Sequence, residues 1–376
     1  MSGWRHEAFE MVIADESGGN VKTPQSEFLP SGRYPIIDQG KELIAGYTND
    51  AARLCQAQLP VIVFGDHTRC LKYVDFPFCM GADGVKVLRP KTDANVKYLY
   101  HFLRQLRLTE GGYDRHFKYL KRSTIALPPV PEQRRIAEIL DKAEALRAKR
   151  RAALAQLDTL TQSIFLDMFG DPATNPKGWR ESILLGDVAD IVSGVTIGRN
   201  LNGKPVRTVP YLAVVNVQDR RLDLSVAKTT EATEDEIQRY RLVRNDLLLT
   251  EGGDPDKLGR GTLWGDQLPE CIHQNHVFRV RLRSEDLTPL FLNWLVGSQR
   301  GKRYFLRSAK QTTGIASINM TQLRAFPLLV PPLHLQREFA DRVAASDKLH
   351  AAHHVGLGEL DALFASLQHR AFRGEL

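Results

Sequence analysis

A chain of 376 residues, 43% hydrophobic and 25% charged, can bury two or three cores and is neither a disordered nor a fibrous sequence. Its formal net charge of +7 points to an anionic partner such as nucleic acid. Cys55, Cys70, Cys79 and Cys271 form no C-x-x-C pair, the N-terminal MSGWRHEAFE has no signal-peptide core, and no apolar run approaches about 20 residues, so a disulfide framework, a structural zinc site and a membrane span are all disfavoured.

Residues 1–127 read as a β-rich domain. Strand formers at Tyr34–Ile37, Leu59–Phe64 and Gly84–Leu88 alternate with the turn signals Gly65-Asp66 and Gly81. Lys97–Leu108 is predicted helical, Tyr113–Arg122 is a basic, aromatic loop, and Ser123–Leu127 is predicted as a strand running into Pro128-Pro129.

At Pro128 the pattern changes. Ile139, Ala143, Leu146, Arg150, Ala153, Leu157, Leu160 and Ile164 recur at alternating steps of four and three, a heptad seam over residues 128–171. No glycine or proline interrupts Glu132–Phe169, which at ~1.5 Å per residue predicts a rod of ~57 Å. A rod of that length requires a partner helix.

Gly170–Trp179 is a linker rich in turn formers. Residues 172–330 then form a second β-rich domain. Ile183–Val195 carries apolar residues and a glycine turn. Strands are predicted at Tyr211–Val217, Asp246–Thr250 and His276–Leu282, a helix at Pro289–Gly297, a polar, basic loop at Leu306–Ile318 and a closing strand at Phe326–Val330. Residues 331–376 are a second helical stretch.

The two helical stretches superimpose without a gap at a constant offset of 203 positions, with Pro128/Pro331, Pro129/Pro332, Gln133/Gln336, Arg134/Arg337, Leu146/Leu349, Leu157/Leu360, Leu160/Leu363 and Phe169/Phe372 identical. The β-rich segments correspond more loosely: Trp4-Arg5 with Trp179-Arg180, Val85-Lys86-Val87 with Phe278-Arg279-Val280, and Leu99…Phe102-Leu103 with Phe291…Trp294-Leu295. The chain is an internal repeat. The expected fold class is α+β: two β-rich domains separated by two long antiparallel coiled-coil helices, a pseudo-twofold internal repeat. Unlike heads on near-identical rods suggest a ruler for a split, asymmetric site. One turn of duplex DNA, ~34–36 Å, is the matching scale.

The stretches LPPVPEQRRIAEILD with LDTLTQSIFLDMFGDPATNPKGW, and LLGDVADIVSGVTIG with VPYLAVVNV, NDLLLTEGG and TTGIASINMTQLRAFPLLVPPLHLQ, resemble the DNA-specificity subunit of type I restriction–modification systems over residues 4–376. The resemblance implies a non-catalytic, cytoplasmic, prokaryotic protein with no cofactor of its own. It implies double-stranded DNA as ligand, two methyltransferase subunits bound along the conserved helices, and restriction subunits in the full complex. The second stretch departs from the first at His334-Leu335. Gly356 and Gly358 interrupt its heptads, each at about 1 kcal/mol in a helix interior, which puts its straightness in question.

Enzymatic motifs are missing. Gly198…Gly203-Lys204 has phosphate-loop spacing, but Pro205 replaces the magnesium-binding hydroxyl and supplies no amide. There is no N-P-P-aromatic motif for adenine methylation and no dinucleotide fingerprint. Cys271, His273 and His276 read as structural residues of a strand. Candidate DNA contacts are cations and amide-rich loops near turns. In the first domain these are His67, Thr68, Arg69, Lys72, Arg115, His116, Lys118 and Tyr119; in the second, Arg199, Lys204, Arg207, Lys257, Arg260, Lys310, Gln311 and Thr313. The helix-pair and partner interface is assigned to Ile139, Leu146, Arg150, Leu157, Leu160, Leu349, Leu360 and Leu363. The alternative is a coiled-coil scaffold whose β-domains bind protein.

Overall fold

Val61–Gly65 is five buried residues in a row, a strand covered on both faces, and a sheet assembles around it. The computed structural model describes residues 3–82, 84–107, 115–201, 203–254, 258–312 and 315–376. They fall into two compact units, residues 1–153 with 353–376 and residues 154–352.

In the first unit β1 (Ile13–Asp15), β2 (Val61–Gly65), β3 (Leu71–Val74) and β4 (Val85–Pro90) form an antiparallel sheet in the order β1-β4-β2-β3. Helix α1 (Val96–Gln105) begins where the Asn95 side chain accepts from the Tyr98 amide at 2.9 Å, and buries Tyr98, Leu99, Phe102 and Leu103. Arg5–Ala8 pairs with Thr124–Leu127 and delivers the chain to helix α2 (Val130–Phe169). Lys97 and His101 of α1 both grip Asp141 of α2, at 2.5 and 2.8 Å. Burial opposes the Asp141 charge, but these two hydrogen bonds outweigh it and its carboxyl sits below its ordinary pKa.

The second unit repeats this plan. β5 (Ala189–Ser193), β6 (Leu247–Thr250), β7 (Gly261–Leu263) and β8 (Val277–Leu282) are antiparallel in the order β5-β8-β6-β7. Helix α3 (Pro289–Val296) is capped by the Thr288 hydroxyl, and bridges at Arg180–Val330 and Leu184–Pro327 lead to helix α4 (Leu333–Ala371). Because Asn95 and Thr288 are equivalent caps, Leu99 corresponds to Leu292 and Tyr98 to Phe291, one residue away from the pairing the sequence suggests.

Several local expectations change: Phe326–Val330 makes isolated bridges in place of a closing strand, and the expected basic loop carries a helical turn, Phe117–Leu120. Tyr211–Val217 is not one strand: Arg207–Leu212 is extended and Val214–Asn216 turns. The stretch expected as a loop from Leu306 carries the end of a helix, Gln299–Ser308, and then strands Lys310–Thr312 and Ile315–Ser317. A further helix, Glu234–Tyr240, is set by a Thr233/Glu236 capping box.

Each unit contains one half of each long helix, and within each unit the two halves run antiparallel. In the first unit Arg147 Nε donates to Asp361 at 2.6 Å, its guanidinium lies 4.4 Å from the Phe364 ring centre, and Arg150 donates to His353 Nδ1 at 3.3 Å. In the second, His350 donates to Asp158 at 2.9 Å. The Arg147–Asp361 and His350–Asp158 contacts are equivalent in the repeat. The seam is turned by about one residue from the apolar heptads. Leu140 and Leu154 are buried and Arg147 lies inside, while Leu146, Leu160, Leu349 and Leu363 are 52%, 40%, 47% and 49% exposed. Those four leucines therefore face largely outward, and in the first unit the paired arginine and its stacked phenylalanine occupy the seam. Ile139, Arg150, Leu157 and Leu360 are half-buried along it. α4 stays helical through Gly356 and Gly358. A Cβ at Gly356 would stand 3.3 Å from the Arg150 guanidinium carbon, so the glycine makes room for the arginine.

Phe165 packs its ring within 6 Å of Phe169, Phe291, Trp294 and Phe339, and it is 1% exposed. Phe165→Ala is expected to cost the second unit about 3–5 kcal/mol, read as a lowered unfolding midpoint in urea; a cost below about 1 kcal/mol would refute this packing.

Candidate nucleic-acid interface

In the first unit one buried carboxylate gathers three segments that are distant in sequence. Asp66, 5% exposed, directly follows β2. Its amide donates to the Gly84 carbonyl, its carbonyl accepts from the His116 amide, and its Oδ1 accepts from the Phe117 amide, all at 2.7 Å. The β2–β3 turn closes through Gly65 N to Cys70 O and Arg69 N to Gly65 O, both 2.8 Å, with Arg69 left-handed at φ 62°. Thr68 Oγ1 donates to the Gln39 carbonyl, and Gln39 Oε1 accepts from the His67 amide at 3.3 Å. A Cβ on Gly65 would lie 2.2 Å from Thr68 Oγ1, so the turn requires glycine.

This frame carries a basic, aromatic rim. Phe117 is buried at its base, with the Lys86 and Lys121 ammoniums 4.9 and 5.6 Å from its ring centre. Tyr119 lies between Lys118 at 4.9 Å and Arg122 at 5.8 Å. Arg69, Arg115, Lys118 and Arg122 are exposed, and His67 and Tyr119 half-buried. Two predicted contacts are removed from this surface. Lys72 is 5% exposed with its ammonium on the Asp38 carbonyl at 2.8 Å, and the His116 side chain is 3% exposed beneath Tyr119. The basic loop is described from Arg115 onward.

In the second unit the corresponding rim is built differently. After β6, Gly252-Gly253 pairs with Ala316-Ser317; a Cβ on Gly252 would sit 2.9 Å from the Ala316 carbonyl oxygen. Glu251 accepts from His276 at 2.5 Å. Arg260 is half-buried and donates to Gln218 Oε1 at 3.1 Å, and the Arg220 guanidinium stacks 3.8 Å from the Trp294 ring centre.

Two further predicted contacts are already saturated. Arg199 binds both oxygens of Glu236 and the Glu231 and Thr196 carbonyls. Arg207 is forked between Glu270 and Glu234, which hold it firmly protonated, and Glu270 is held ionised in return. Neither offers an open fork to phosphate. Lys204 is exposed beside Arg207. Lys310 and Gln311 lie on the Lys310–Thr312 strand. Lys257 and Thr313 lie outside the described residues. Sequence reasoning missed Gln39, Asp66 as an anchor, Phe117 and Arg220. The signal for Asp66 was a lone acid among cations, directly after a strand.

Below the second rim, His273 is fully buried with Nδ1 donating to the Val277 carbonyl at 2.7 Å. Burial pushes its pKa down to about 4. The folded ring is thus neutral, whereas the unfolded ring takes a proton near pH 6.5, so acid favours unfolding. Stability of this unit is expected to be complete above pH 6.5 and to fall by about 3 kcal/mol, as an order of magnitude, on acidification toward pH 4. His273→Asn should flatten that limb in chemical-denaturation series; an unchanged slope would exclude His273 as its source.

A family model for the type I restriction modification DNA specificity domain matches residues 16–156 and 176–357. The chain is similar to the specificity subunit of type I restriction enzyme EcoR124I/EcoR124II of Escherichia coli, at 26% identity over 84% of this chain and 80% of that protein. It is also similar to the type I restriction enzyme StySPI specificity subunit of Salmonella potsdam, at 24% identity over 77% of this chain and 67% of that protein. In fold, it matches the crystal structure of the type I restriction-modification S subunit from M. genitalium with a TM-score of 0.59 at 15% identity, over 98% of this chain and 96% of that one.

Proposed function

The chain belongs to the family of type I restriction–modification DNA specificity subunits, and from that premise we propose that it is the non-catalytic, cofactor-free reader of a bipartite, asymmetric DNA site. Each unit carries one target-recognition domain, assigned to residues 1–127 and 172–330. The helices, residues 128–171 and 331–376, hold the gap between half-sites. One observation carries this reading. Arg150 and His353 are equivalent positions of the repeat, and they touch each other. A contact between repeat-equivalent residues supports an internally duplicated chain that carries two unlike recognition domains.

Exposed Arg69, Arg115 and Lys118 supply phosphate-directed charge in the first domain, while Lys204 and the Arg260–Gln218 pair supply candidates in the second. Reading a few base pairs per domain, at ~1–3 kcal/mol per mismatch, discriminates well only when both halves engage, and tethering makes the second engagement intramolecular. The exposed leucines Leu146 and Leu363 in the first unit, and Leu160 and Leu349 in the second, are the faces assigned to two methyltransferase subunits, with restriction subunits joining the full complex. Among the described residues no helix is long and apolar enough to cross a membrane.

The test is a footprint and methylation assay of the chain with its methyltransferase subunit at physiological salt. A split site, protected and modified only when this chain is present, supports the reading. Bound methyltransferase without sequence-selective protection would overturn it in favour of a protein scaffold.

A further inference from the structure

Two glutamines at equivalent positions make the same contacts at the foot of the two long helices. Gln133, 3% exposed, donates from Nε2 to the Pro128 carbonyl and accepts at Oε1 from the Asn95 amide, both at 2.8 Å. Gln336, 0% exposed, donates to the Pro331 carbonyl and accepts from the Thr288 amide, again both at 2.8 Å. Gln336 also donates to the Asp286 carbonyl at 2.8 Å. Pro128 and Pro331 stand two residues before the first residue of each long helix, and Asn95 and Thr288 cap the helices that back each sheet.

Each carboxamide therefore spans three things: the long helix, the chain entering it, and the end of a helix belonging to the recognition domain. The amide of an N-cap residue has no partner inside its own helix, so the glutamine oxygen satisfies a donor that burial would otherwise leave open. No shorter or apolar side chain can do both jobs. An amide carries a donor and an acceptor on one planar group, and the two bonds fix the direction of that plane. The surrounding β-rich segments have diverged in length and in loop chemistry, yet both units keep the two bonds of this joint, to the proline carbonyl and to the cap residue's amide.

We propose that Gln133 and Gln336 are positioning residues that lock the angle at which each recognition domain is carried by its helix, and thereby narrow the range of half-site gaps the protein accepts. The inference rests on the specificity reading above. Each added base pair advances a half-site by about 3.4 Å and turns it by about 35° around the duplex, so a joint that tolerates neighbouring gaps must swivel. A stiff joint excludes those gaps.

The experiment uses the full chain assembled with its methyltransferase subunits. The half-sites selected by the wild type are placed in a library whose gap varies one base pair at a time, and methylated members are sequenced. Gln133→Leu and Gln336→Leu, each losing the bridge, are expected to keep both half-site sequences while raising methylation at gaps one base pair off by about five-fold, the factor a lost buried hydrogen bond supplies. Where a leucine variant fails to fold, Gln133→Glu or Gln336→Glu carries the test; it keeps the acceptor toward the Asn95 or Thr288 amide but loses the donor toward the proline carbonyl. Variants with lowered melting temperature and an unchanged gap profile would show a purely structural role and overturn the proposal. A wild type that selects no split site would instead sink the specificity reading, so the two failures are told apart.

Discussion

Deleting one heptad from each long helix, seven residues beside Arg150 and seven beside His353, is expected to shorten the preferred gap between half-sites by about three base pairs. Seven helical residues span ~10.5 Å, and a base pair ~3.4 Å. A heptad is the right unit because it returns each side chain to within ~20° of its original face, so the seam can close again. The deletion must be matched. Removing residues from one helix alone would slide Arg147 away from both Asp361 and Phe364, leaving its guanidinium with Glu144 of its own helix and no partner across the seam. Methylation-site sequencing of the doubly deleted chain, in complex with its methyltransferase, gives the gap directly. An unaltered gap in a folded variant that still reads both half-sites would mean that the helices do not set the spacing.

The second large effect is expected at Asp66. Its side chain is the only part of the three-way junction that mutation can remove without touching the backbone. Asp66→Ala deletes the acceptor of the Phe117 amide, a bond made by a buried charged group and worth about 1.5–3 kcal/mol. The segment from Arg115 to Arg122 then loses one of its tethers to the β2–β3 turn that carries His67, Thr68 and Arg69, keeping the His116 amide on the Asp66 carbonyl. Binding at the half-site read by the first domain is expected to weaken by about ten-fold or more. Protection of the other half-site is expected to persist. Asp66→Asn keeps an oxygen for the Phe117 amide and should retain most of the affinity. Equal loss at both half-sites, measured by footprinting each one separately, would show that Asp66 acts on global stability and not on the first interface.

These two expectations draw on different kinds of information. The heptads, the double prolines and the Gln133/Gln336 identity were visible in the sequence, because helical periodicity is local and a repeat compares the chain with itself. The face of the helices was less legible. Counting apolar residues favoured Leu146, yet Arg147 is inside, since Asp361 and Phe364 come from the other helix and satisfy both its charge and its stem. The same holds for the glycines of α4. Gly356 looks like a helix breaker until the Arg150 guanidinium is seen beside it.

The candidate contacts divide along the same line. Arg199 and Arg207 have the residue type and the loop setting expected of phosphate ligands. Their partners Glu236 and Glu270 lie 37 and 63 positions away, and nothing in the local sequence announces that those forks are already occupied. Lys72 reads as a turn cation and is an interior one.

The duplicated plan is legible from the residues alone: two α+β units and two long helices, each helix entered through a double proline, with its length written in spacing. Folding settles which cations stay exposed, which leucines face outward, and what Asp66, Gln133 and Gln336 hold together. Spacing along a helix or strand is a property of neighbouring residues. The state of a charge or a carboxamide depends on groups that folding brings to within about 3 Å from anywhere in the chain.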